Sequence, residues 1–249
     1  MTLSTTKTIL RKRPARGDTT GTGRFVVSVD VDSEAVDSRG SEPDRECPLC
    51  PRLVEFRHSV RAAHPDWFNA PVPTFGGHDA QLLIVGLAPG MQGANRTGRP
   101  FTGDYAGDLL YATLKTFGFA QGNYQARPDD GFTLRNCRIV NAVRCLPPQN
   151  KPLPVEINTC RQFLIAATTQ MPNLRAIVAL GRVAHDSTLK ALSLRASDAP
   201  FGHGAVHQAG AIRLYDSYHC SRYNTNTRVL TPAMFEAVFA KVREDLEQS

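Results

Sequence analysis

The chain has 249 residues, 41% of them hydrophobic, and 29 Lys and Arg against 23 Asp and Glu give it a formal charge of +6. That length suits one sizeable core. No apolar run approaches the ~18–20 residues of a spanning helix, and the start lacks the apolar stretch of a secretory signal. The positive surplus permits an anionic partner without identifying one.

Residues 1–40 mix Thr, Ser, Gly, Arg and Asp without an apolar period, the composition of a disordered or loosely packed arm, with Phe25 to Val29 as a short strand at most. Residues 41–249 read as a single α/β domain. It opens on Cys47-Pro48-Leu49-Cys50, from which Leu53, Val54, Phe56, Val60 and Ala63 run on as a helix that His64-Pro65 stops. Four apolar stretches of strand length follow, at 82–87, 138–144, 176–181 and 211–216. Between and after them the spacing predicts helices over 106–118, 155–170, 182–193 and 232–246, the last with Pro232 in its first turn. Strands alternating with helices predict a three-layer αβα sandwich around a central, mainly parallel four-stranded sheet.

Residues 82–111, LLIVGLAPGMQGANRTGRPFTGDYAGDLLY, organise the rest. They read as strand, long glycine-rich basic loop, helix. Open α/β sheets bind ligands at the carboxyl ends of their strands, and a helix start favours an anion. The loop is neither a dinucleotide fingerprint nor a P-loop. The strand ends near Asn141 and after Asp216 also carry polar residues, so three loops converge at one sheet edge.

The six cysteines fall into two groups. Cys47 and Cys50 form C-x-x-C, and Cys145 and Cys160 flank a Pro-rich loop. Four thiolates can hold a tetrahedral zinc or a [4Fe–4S] cluster, and spacing does not choose between them. A redox pair is disfavoured, because such a pair normally follows a strand in its own βαβ unit. Cys137 and Cys220 read as ordinary thiols.

The segment GLAPGMQGANRTGRPFTGD resembles the first motif of the uracil-DNA glycosylase superfamily, in its iron–sulfur family 5 (type B) branch, and the block from His219 to Thr227 resembles the second. The likeness runs from about Glu46 to Leu246. It implies a [4Fe–4S] cluster on Cys47, Cys50, Cys145 and Cys160. It implies a monofunctional enzyme that hydrolyses the glycosidic bond of uracil, and of other deaminated bases such as hypoxanthine, to initiate base excision repair. The partner is then DNA containing such bases, and the setting that of a cytoplasmic, nucleoid-associated monomer with no membrane. The rival reading is a non-catalytic iron–sulfur protein that binds nucleic acid or senses damage.

Breaking that bond needs a flipped base, a carboxylate near the cationic sugar, a water, and a donor for the departing base. Asp104 is the candidate carboxylate, although an Asp before a helix is by default an N-cap. His219 is the leaving-group donor, since a neutral imidazole keeps one N–H. The sequence reads His-Cys-Ser where relatives commonly have His-Pro-Ser, and Cys220 frees a φ that proline would fix. The resemblance places Phe101, Asn141, Gly86 and Ala88 at the base. Arg96, Arg99, Ser221, Arg222 and Asn224 are placed at the DNA backbone and groove, where contacts position without reading sequence.

Overall fold

The computed structural model describes residues 42–248, so the arm of residues 1–40 and the strand expected at Phe25 to Val29 lie outside the described residues. β1 (Leu82–Gly86), β4 (Cys137–Asn141) and β5 (Ala176–Leu180) are buried along their whole length, as befits parallel strands covered on both faces. β7 (Ile212–Ser217) joins them. The sheet order is β4-β1-β5-β7-β6, parallel except for the antiparallel β6 (Val206–Ala209) at one edge.

The sheet therefore has five strands, not four. β6 carries no apolar run: its residues alternate exposed and half-buried, and it is a strand because the turn at Gly210, with φ +62°, folds it back onto β7. The second strand also ends earlier than expected, at Asn141. The ladder continues as two lone bonds, from Ala142 N to Gly86 O (2.9 Å) and from Val143 N to Leu87 O (3.0 Å).

Side chains alternate across the sheet and divide the core in two. Leu82, Ile84, Ile139, Val178 and Tyr215 face α3 (Tyr105–Thr116) and α7 (Pro232–Glu247). Leu83, Val85, Val140, Ile177 and Leu214 face α4 (Pro154–Thr169) and α5 (Arg182–Ala191). This is the expected three-layer sandwich. The crossover after β1 leaves to one face, while those after its neighbours β4 and β5 leave to the other. That divergence opens a crevice beyond the carboxyl ends of the strands.

α1 (Pro51–Ala63) precedes the sheet and buries Leu53, Arg57 and Val60, spaced four and three residues apart on one face. Arg52 fastens it to the first turn of α4, reaching both oxygens of Glu156 at 2.7 Å, and Glu156 also accepts from Leu153 N at 2.7 Å. Two short helices escaped the sequence reading: α2 (Ala94–Thr97) inside the glycine-rich loop and α6 (Arg222–Asn226) inside the second motif. A two-stranded ribbon of β2 (Ala120–Gln121) and β3 (Thr133–Leu134) brackets the polar loop between them.

Candidate active site

A cleft of about 690 Å³ opens at the carboxyl ends of β1, β4 and β7. Leu87, Ala88 and Gln92 come from the loop after β1, Asn141 from the end of β4, Phe101 and Asp104 from the approach to α3, and His219, Ser221 and Arg222 from beyond β7. The three loops read as convergent in the sequence do meet.

The deep wall is built on close approach. Gly86 and Asn141 are register partners in the β1–β4 ladder. A Cβ on Gly86 would stand 2.4 Å from Asn141 Oδ1 and 2.6 Å from Phe101 Cζ, so only glycine lets carboxamide and ring sit over that strand end. Asn141 is 4% exposed, and its Oδ1 is buried without a hydrogen-bond partner in the protein. Buried acceptors are rarely left so, and this one lines the cleft. The Phe101 ring lies 6.0 Å from the His219 ring at an interplanar angle of 28°.

Asp104 caps α3, its Oδ1 accepting from Gly107 N at 3.2 Å. Its other oxygen approaches the glycine-rich loop so closely that a Cβ on Gly93 would lie 2.3 Å away. Burial raises its pKa above the ordinary 3.8, against the lowering pull of the Gly107 N–H. Asp104 is thus both the N-cap of α3 and a residue of the cleft lining. His219 is half-buried by surface area, but its surroundings desolvate it and lower its pKa to about 4, so the imidazole is neutral at neutral pH. Asn224 Nδ2 donates to His219 O at 2.8 Å. Cys220, fully buried, points its sulfur at Ala106 O, 3.5 Å away. Its side chain ties the second motif to α3 where a proline would have stiffened the loop.

The backbone-contact residues divide. Arg96 is exposed on α2, and Arg222 lies over the Tyr105 ring at 5.4 Å. Ser221 caps α6 by accepting from Asn224 N at 3.4 Å, which leaves its own hydrogen free to donate. Arg99 is a correction. The residue is 5% exposed, and its guanidinium bonds both oxygens of Asp130 at 2.8 and 2.9 Å and packs against the rings of Phe75, Tyr111, Tyr124 and Phe132. A cation so enclosed is not available to a phosphate. Asn224, half-buried, gives one amide hydrogen to His219 O. Tyr105, Gln92 and Asn150 line the cleft but were missed. Tyr105 follows Asp104 directly and could have been inferred from that adjacency.

Cys47, Cys50, Cys145 and Cys160 come together, with Leu53, Val143 and Phe163, around one apolar pocket between α1 and α4. Cys50 caps α1, Arg144 N donates to Cys160 Sγ at 3.3 Å, and Arg57 reaches Cys145 Sγ at 3.8 Å. Cys137 and Cys220 lie elsewhere in the core. Among the described residues, only His185, His207 and Asp216 bring three metal-ligand-type atoms within 4.8 Å of one another. Hydrogen bonds of 2.7 and 3.0 Å already join those three, and the other nitrogen of His185 meets Ala199 O at 2.9 Å.

The uracil DNA glycosylase superfamily model matches residues 73–243. The chain is 43% identical over 204 residues to a type-5 uracil-DNA glycosylase of Thermus thermophilus, covering 79% of this chain and 92% of that one. A type-5 enzyme of Mycobacterium bovis is 42% identical over 207 residues, covering 80% and 77%. One of Pyrobaculum aerophilum is 38% identical over 203 residues, covering 80% and 88%. With its αβα sheet, its cleft at the ends of β1, β4 and β7, and these relatives, the chain belongs to the uracil DNA glycosylase superfamily.

Proposed function

We propose that the protein is a monofunctional DNA glycosylase that hydrolyses the N-glycosidic bond of uracil in DNA, and of other deaminated bases such as hypoxanthine, and so initiates base excision repair. The observation that carries the reading is the unpartnered, buried Oδ1 of Asn141, a residue that lines the cleft with Phe101, Asp104 and His219. A donor on an extruded pyrimidine, such as an imide N–H, is what that oxygen lacks.

The flipped base stacks against Phe101 while the Asn141 carboxamide meets its edge. As the bond lengthens, positive charge grows on the sugar and negative charge on the base. The Asp104 carboxylate, held by its helix cap, stabilises the first, and a neutral His219 donates its N–H toward the second. A water completes the hydrolysis. Among the described residues no lysine lines the cleft, so none of them offers an amine nucleophile and the strand stays intact. Ser221, Arg96 and Arg222 hold the DNA backbone. We place the enzyme in the cytoplasm, on DNA, as a monomer.

The four cysteines fit a [4Fe–4S] cluster better than zinc. Tetrahedral zinc with ~2.3 Å bonds needs sulfurs ~3.8 Å apart, whereas no three of these sulfurs gather within 4.8 Å. The cluster would be structural, tying α1 to the segment between β4 and α4.

Base release from matched uracil and hypoxanthine duplexes tests the reading, with Asp104→Ala and His219→Ala beside the wild type. Wild-type release, lost in both variants with DNA affinity retained, supports the chemistry and ranks the substrates. Immediate nicking before alkali would refute the monofunctional mechanism. Tight binding with no release from either duplex would leave the non-catalytic reading.

A further inference from the structure

No residue of the loop between β2 and β3 lines the cleft, yet the loop grips the backbone of residues that do. Tyr124 Oη donates to Phe101 O at 3.2 Å and accepts from Gly103 N at 3.3 Å. Both gripped residues are in the left-handed region, Phe101 at φ +52° and Gly103 at φ +94°. For a bulky residue such as Phe that conformation is strained and persists only where its surroundings hold it.

The fit around this grip is tight. Gly107, in the first turn of α3, has no room for a side chain: a Cβ there would lie 1.7 Å from Phe101 O and 2.8 Å from Tyr124 Oη. Gly107 N is also the donor that fixes Asp104 Oδ1. One hydroxyl, one carbonyl and one helix start are therefore stacked so that Phe101 and Asp104 cannot move independently. The Tyr124 ring is held in turn by Tyr111 at 4.7 Å and Phe132 at 5.7 Å. At the loop's far end, Asp130 holds Arg99, whose Nε donates to Thr102 Oγ1 at 2.8 Å.

We propose that Tyr124 is a positioning residue: its hydroxyl holds Phe101 in its strained conformation and so sets the shelf on which the base stacks relative to Asp104. The inference rests on the glycosylase reading above. Tyr124 does not itself line the cleft, so on this proposal it acts on the rate of bond breaking and not on the binding of the duplex.

Tyr124→Phe removes the hydroxyl and keeps the ring. Uracil release is measured at 25 °C under single turnover with saturating enzyme, beside the dissociation constant for a duplex carrying a hydrolysis-resistant 2′-fluorinated deoxyuridine. The expected result is a rate about tenfold lower, ~1.4 kcal/mol in barrier, with the dissociation constant within about twofold of wild type. Asp130→Asn, which frees the loop from its other end, should show the same split, and it decides the matter if Tyr124→Phe does not fold. A wild-type rate in the folded variant overturns the inference, as does an equal loss in rate and in affinity. A wild type that releases no uracil sinks the glycosylase reading itself, and the positioning role with it.

Discussion

Gly86→Ala is the sharpest perturbation of the base pocket, because it adds one carbon at a place the structure reserves for two other side chains. The new Cβ would stand 2.4 Å from Asn141 Oδ1 and 2.6 and 2.8 Å from Phe101 Cζ and Cε2. Comfortable contact between carbons is ~3.5–4.0 Å, so each group must retreat by about 1 Å. The clashing atoms are the tips of side chains, which yield more readily than backbone. The stability cost then belongs at the low end of overpacking, about 1 kcal/mol, or ~2–4 °C in Tm for a chain of this size. The functional cost is larger, since a displacement of ~1 Å in a reacting constellation can lose ~10²-fold in rate. The assay pairs single-turnover uracil release with a thermal melt. A variant that melts a few degrees low yet releases uracil at the wild-type rate would refute the placement of the base against Asn141 and Phe101. A melt lowered by more than ~10 °C would refute the assumption that the pocket gives way locally.

Titration offers a second check. His219 is held at about 4 against an ordinary 6.5, so between those values the unfolded chain binds a proton that the folded one refuses. Stability should therefore decline as pH falls from ~6.5 to ~4 and level off below, and His219→Asn should flatten that slope in pH-dependent melts. Burial raises the Asp104 pKa above 3.8, and since its ionised form serves the sugar cation, the acid limb of uracil release should lie above pH 3.8 and vanish with the residual activity of Asp104→Asn. Asp130 is held well below the usual carboxylate range, chiefly by its hydrogen bonds to Arg99. The stability this contributes is present above ~3.8 and lost as pH falls further, so Asp130→Asn should melt lower than wild type at pH 7 and converge with it in acid. Cys160→Ser, or removal of iron from the wild type, should abolish the absorbance near ~400 nm of a four-cysteine cluster and lower Tm, because ligand binding contributes to folding in such sites.

How far the sequence disclosed this molecule depended on whether the information was local. β1 and β5 are continuous apolar runs because both their faces are covered, and such runs are visible in isolation. β6 is half-exposed and adopts its conformation from the strand it pairs with, so Val206 to Ala209 carried no mark of their own. The cleft residues Asp104, Asn141 and His219 lie beside strand or helix ends, where a polar residue following an apolar run is conspicuous. Arg99 misled for the opposite reason. In a glycine-rich loop a cation looks like a hand for phosphate, and the carboxylate that claims it lies 31 residues further on. In the sequence, residues 122–131 read only as a polar loop. Tyr124 bonds the backbone of Phe101 and Gly103, and Asp130 the side chain of Arg99, long-range links that no local pattern announces.

The manner in which the sheet ends bears on how the protein behaves in a crowded cell. An open row of amides on an outer strand invites another chain to add itself, and long flat edges seed aggregates. Here the β4 side is closed by its own chain: Phe75 exchanges two bonds with Ile139, at 2.9 and 2.7 Å, and Val72 N donates to Arg144 O at 2.7 Å. On the other side β6 is four residues long and alternates in exposure. Neither margin gives a stranger's strand much to zip onto. Both margins thus work against adding a strand from another copy of the chain.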